Sequence, residues 1–90
     1  MALEPDNHGF AMARAKLMLD LGLYPRAVDG LMPFADAEAP DPAAILLLAK
    51  VQQAAGKTEK AIERYRQFLT LMPDAPEKAE AEAALAELGG

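Results

Sequence analysis

The sequence predicts an all-α protein of antiparallel helix hairpins, with about five helices in its 90 residues. Three observations predict it. Alanine, leucine, glutamate and lysine dominate while β-branched residues are scarce, a balance that favours helix throughout. One stretch, Ala43 to Pro73, reads as a complete hairpin with punctuation at its beginning, middle and end. The chain also resembles itself at a spacing of 34 residues.

Taken in order, Met1 to Asn7 is a short lead-in containing Pro5, with Asp6 and Asn7 able to cap a helix starting near His8. That helix runs to about Leu21 and stops at Gly22. Leu23-Tyr24-Pro25 opens the second, since proline in a first turn lacks only an amide that would be unpaired there anyway. Its apolar face is Ala27, Val28, Leu31, Phe34 and Ala35, with Gly30 and Pro33 expected to weaken or kink it. Ala39-Pro40-Asp41-Pro42 breaks the chain. The third helix, from Ala43, reaches Ala55 and is interrupted by Gly56-Lys57, where a C-cap glycine would sit. The fourth is expected to take Thr58 as its cap and to carry Ala61, Ile62, Tyr65, Phe68, Leu69 and Met72 as one stripe up to Pro73. After Asp74-Ala75-Pro76 the fifth spans Glu77 to Leu88 and ends at Gly89-Gly90, with Ala79, Ala83, Leu85, Ala86 and Leu88 expected on its apolar side.

A chain of this size forms one small domain that buries roughly 60 to 65% of its unfolded surface, so its core is thin. The net charge of −5 and the isoelectric point near 4.7 argue against nucleic acid or an anionic membrane as partner, since both need a concentrated basic surface. Cysteine is absent, which removes disulfides and thiol chemistry. No stretch approaches the roughly 20 apolar residues of a membrane span, and the N-terminus lacks the pattern of a signal peptide. The expectation is a soluble protein without an address, cytoplasmic by default.

Subtraction of one hairpin from the other pairs Gly22 with Gly56, Ala15 with Ala49, Lys16 with Lys50, Ala27 with Ala61, Val28 with Ile62 and Phe34 with Phe68, all 34 apart. Leu3-Glu4-Pro5-Asp6 lies 68 residues before Leu71-Met72-Pro73-Asp74, and Gly90 falls 34 after Gly56. The division is therefore a repeat's tail over 1–7, full repeats over 8–41 and 42–75, and over 76–90 a capping helix or the start of a third repeat.

Ile45, Leu48-Ala49, Gly56, Ala61, Tyr65 and Pro73 in the second repeat, with Ala15, Gly22, Tyr24, Ala27 and Leu31 in the first, resemble the tetratricopeptide repeat (TPR) family. Departures are Arg14 where Leu48 stands, Ala39 where Pro73 stands, and Gln52 in place of the usual aromatic. The resemblance implies an α-solenoid whose first helices line a concave face for an extended peptide or partner helix. It places Gly9, Met12, Lys16, Leu19 and Asp20, then Ala43, Leu46, Lys50, Gln53 and Ala54, on that face. Lys16 and Lys50 read either as two cations awaiting a ligand carboxylate or as solvated lysines. Some members of the family grip a peptide's free carboxylate with a set of lysine, asparagine and arginine. Here only the two lysines match in kind, and Glu77, Glu80 and Glu87 would repel such a group.

Chemistry of its own is not expected. His8 is the single histidine, the chain holds no serine for it to activate, and one histidine without cysteine makes no metal set, so no cofactor is implied. The functional expectation is a non-catalytic protein-protein interaction scaffold whose partner is another protein or peptide. The alternatives are self-association by end-to-end stacking and a secretion-type chaperone.

Overall fold

The computed structural model describes residues 8–89; the lead-in 1–7, with its expected caps, and Gly90 lie outside the described residues. Those described form five helices and no strand: α1 (His8–Asp20), α2 (Tyr24–Ala35), α3 (Pro42–Ala54), α4 (Thr58–Leu71) and α5 (Lys78–Leu88). Each helix packs on the next, and α1 also reaches α3.

Two turns share one backbone design. After α1, Leu23 N–H donates to the Met18 carbonyl at 2.8 Å and Gly22 N–H to Leu19 at 3.1 Å. After α3, Lys57 donates to Gln52 at 2.8 Å and Gly56 to Gln53 at 3.1 Å. Both are Schellman closures, in which the residue past the helix turns left-handed and two orphan carbonyls find donors. Gly22 has φ 78° and Gly56 φ 81°, a region where a Cβ is strained. So short a connection folds each helix back along the one before it.

The helix starts correct two expectations. Asp41, read as part of a break, is the N-cap of α3: its Oδ1 accepts from Ala43 N–H at 3.1 Å, and Pro42 occupies the first turn. Thr58 is not the cap of α4. Lys57 holds that position, with no side-chain hydrogen bond, and Thr58 is already helical. In α2 the expected weakening does not end the helix; Gly30 and Pro33 both lie inside it, and it closes where Asp36 N–H donates to the Met32 carbonyl at 2.8 Å.

The core centres on α3, in which Ala44 through Ala49, Val51 and Gln52 are buried. A helix apolar around most of its circumference must be covered on most sides. Ile45, Leu48 and Val51 are fully enclosed, each contributing about 1.5–3 kcal/mol of apolar burial. Helix α2 adds Ala27, Leu31 and Ala35, and α4 adds Ala61, Tyr65 and Phe68. The alanine pairs noted in the sequence are buried: Ala15 with Ala49, and Ala27 with Ala61. Helix α5 docks differently from the expectation. Ala81 is buried and Ala84, Leu85 and Leu88 are half-buried against the core, while Ala79, Ala83 and Ala86 face solvent. Five alanines spread round this helix left its inner face undefined until α4 supplied a neighbour.

A candidate groove along the first and third helices

Lys16 on α1 and Lys50 on α3 line one groove of about 410 Å³. Met12 stands one turn before Lys16 and Leu46 one turn before Lys50, so the spacing of four sets each cation beside an apolar side chain on its helix. Leu47, Phe68 and Met72 continue the apolar lining, and Asp41 and Glu77 carry the acidic groups. Phe68 is 3% exposed, so it serves as core and groove wall together.

The two lysines are not equivalent. Lys50 Nζ pairs with Glu80 at 2.6 Å, both side chains being well exposed, so the bond is worth about 0–1 kcal/mol. Its charge is nevertheless answered by α5, which corrects the picture of two waiting cations. Among the described residues Lys16 makes no ion pair.

Beyond Lys50 the polar side chains form a relay. Tyr65 Oη donates to Gln53 Oε1 at 2.7 Å, and Gln53 Nε2 donates to Glu87 Oε1 at 3.1 Å, joining α4, α3 and α5. Burial, and then the negative charges of Glu80 and Glu87, push the Tyr65 phenol from 10.0 up to about 12. The phenol is therefore a fixed donor at neutral pH.

Of the face residues expected from the sequence, Met12, Lys16, Ala43, Leu46 and Lys50 line this groove. Gln53 does not; it lines the adjoining hollow with Lys50, Tyr65 and Glu80, engaged at both ends of its amide. Leu19 is half-buried against the core instead, Asp20 and Ala54 are exposed away from the groove, and the surroundings of Gly9 lie outside what the structure describes. The sequence reading missed Asp41 and Glu77, although an aspartate just before a proline is a cap signal and caps lie at helix mouths. It also missed that Phe68 and Met72 reach this side, since their spacing showed only that they share a stripe.

The groove carries no serine, cysteine or histidine, and among the described residues no three acidic, histidine or cysteine side chains converge on a common point. No helix of the described residues is long and apolar enough to cross a membrane. Compared with protein families, curated proteins and solved structures, the chain matches none.

Proposed function

We propose that this chain is a TPR-like helical repeat module, without catalysis, that holds a segment of another protein in the groove along α1 and α3. The observation that carries the reading is an apolar groove with one uncompensated cation, Lys16, at its wall. A mixed lining of this kind suits an extended or helical segment, whose apolar residues enter while a flanking charge fixes direction. The solenoid reading is supported by the twin closures at Gly22 and Gly56 and by the buried alanine pairs, each 34 residues apart. The same arithmetic makes Leu46 the counterpart of Glu80, so Lys16 has an apolar residue where Lys50 has its acid. The ligand then supplies the carboxylate that the protein withholds.

The test is a peptide array of apolar decamers with acidic, neutral or basic flanks. Acidic flanks near one end are expected to bind best, and Lys16→Glu is expected to invert that preference while leaving the helical circular-dichroism signal intact. An unchanged ranking would refute the groove. Substituting Lys50 is the poorer probe, because a glutamate there would face Glu80.

A second reading, self-association, is favoured by a separate observation. Phe10, Leu17 and Leu21 are 74%, 57% and 63% exposed. They recur at helical spacing along one face of α1. Their counterparts on α3, Ala44 and Val51, are fully buried and Ala55 half-buried, so this face is of a kind the chain elsewhere covers.

A further inference from the structure

We infer that the cleft between the first turns of α2 and the α3–α4 turn is a second binding site, for an aromatic ring that bears a hydrogen-bond donor and has a carboxylate beside it. The carrier of this inference is Gln52. It is 5% exposed, and its Oε1 is shielded from solvent and accepts no hydrogen bond among the described residues. A buried carboxamide oxygen in that state costs stability unless a donor reaches it. In the first hairpin the residue 34 positions earlier is Met18, an apolar side chain packed on the core. The fold therefore does not need a polar group there, and the second hairpin has one.

Gln52 lines a cleft of about 480 Å³ with Tyr24, Pro25, Val28 and Ala55. These are flat or small apolar surfaces, and a planar ring stacks on tyrosine and proline at ordinary van der Waals distance. Lys57 and Lys60 at the α3–α4 turn and Asp29 on α2 complete the lining. None of the three makes an ion pair with another described residue. Two lysines on one side attract a carboxylate, and Asp29 on the other helix turns it away from that side, so a ligand has one preferred orientation. Its ring then lies in the cleft with an O–H or N–H directed at Gln52 Oε1. A free phenolic or indolic acid carries this chemistry, and so does a tyrosine or tryptophan flanked by acidic residues in a peptide. The cleft shares no residue with the groove along α1 and α3, so it stands whatever that groove binds.

The experiment is heteronuclear NMR on the full chain, titrated with 4-hydroxyphenylacetate against phenylacetate and with the capped peptide Asp-Tyr-Asp against Asp-Phe-Asp. The hydroxylated member of a pair is expected to shift the Gln52 side-chain amide and the backbone of Ala55 and Lys57, and to bind at least about tenfold tighter than its partner, because a site built around a buried acceptor discriminates against a ligand without the donor. Gln52→Met, which installs the side chain found at the equivalent position of the first hairpin, is expected to fold and to erase that preference. Lys57→Glu with Lys60→Glu is expected to weaken both acids. A response to the small acid alone identifies a free aromatic acid as the ligand, and a response to the peptide alone identifies a side chain of a partner. Equal binding of the hydroxylated and plain rings, a preference that survives Gln52→Met, or no shift at these residues with either pair overturns the inference.

Discussion

Tyr65 concentrates several roles in one side chain. Its ring is 2% exposed in the core, and its hydroxyl begins the relay through Gln53 to Glu87. Truncation to alanine is expected to cost about 3–5 kcal/mol, as is Phe68→Ala, and denaturant melts would show it; a loss below about 1 kcal/mol would mean these rings are not core. The phenol also predicts a pH dependence. Its folded value of about 12 lies above the unfolded 10.0, so between those limits the folded chain retains a proton that the unfolded chain has released. Stability from this group is complete below pH 10 and falls as pH rises toward 12. The urea midpoint should decline over that window in the native protein. In Tyr65→Phe the part of the decline due to this group should vanish, while the lost hydrogen bond lowers stability at neutral pH by about 0.5–1.5 kcal/mol.

Glycine has opposite meanings in two of the elements. At Gly56 an added Cβ would meet no atom within 4 Å, yet φ is 81°, so the cost of Gly56→Ala is conformational, about 1–2 kcal/mol. Gly30 lies inside α2, has equally open surroundings and no left-handed φ. Gly30→Ala should therefore stabilise the protein by about 0.5–1 kcal/mol, and thermal melts of the two variants should move in opposite directions. Helix α2 needs such help, because Pro33 removes one of its internal hydrogen bonds. Its C-terminal end is held from α4: Arg64 reaches Asp36 at 3.0 Å and Met32 Sδ at 3.6 Å while also donating to Gln67 at 2.9 Å. The acceptor at Asp36 caps the helix end in the sense of position, and the arginine stem covers apolar surface on the way.

The molecule as a whole is elongated, 46 × 29 × 21 Å, with a radius of gyration of 12.9 Å. A compact chain of this length would have about 12 Å. Stacking helices one after another produces that shape, and it leaves the first helix with a neighbour on one side. Light scattering across a concentration series separates the two proposed uses of the surface. Association through α1 predicts a mass that rises with concentration and returns to that of one chain in Leu17→Glu. A single-chain mass throughout leaves the groove as the working surface. Arg14 lies within the exposed α1 face, between Phe10 and Leu17. An isologous contact through it brings like charges together, which favours a different partner over a symmetric pair.

Helix type, helix order and the two glycine closures were legible in the residues because each depends on groups within about one turn of one another. The 34-residue spacing likewise named which alanines would be enclosed, since a small residue recurring at one place in a hairpin marks close approach. Four features required the packed molecule. They are the inner face of α5, the engagement of Lys50 by Glu80, the diversion of Gln53 to Tyr65 and Glu87, and the isolation of Gln52 Oε1. Each joins residues or surfaces brought together only when helices meet, and the crossing of two helices is set by their combined side-chain ridges. Local chemistry specified the helices and their turns, while the meeting of α3 with α4 and α5 specified which of their polar groups stayed available to a partner.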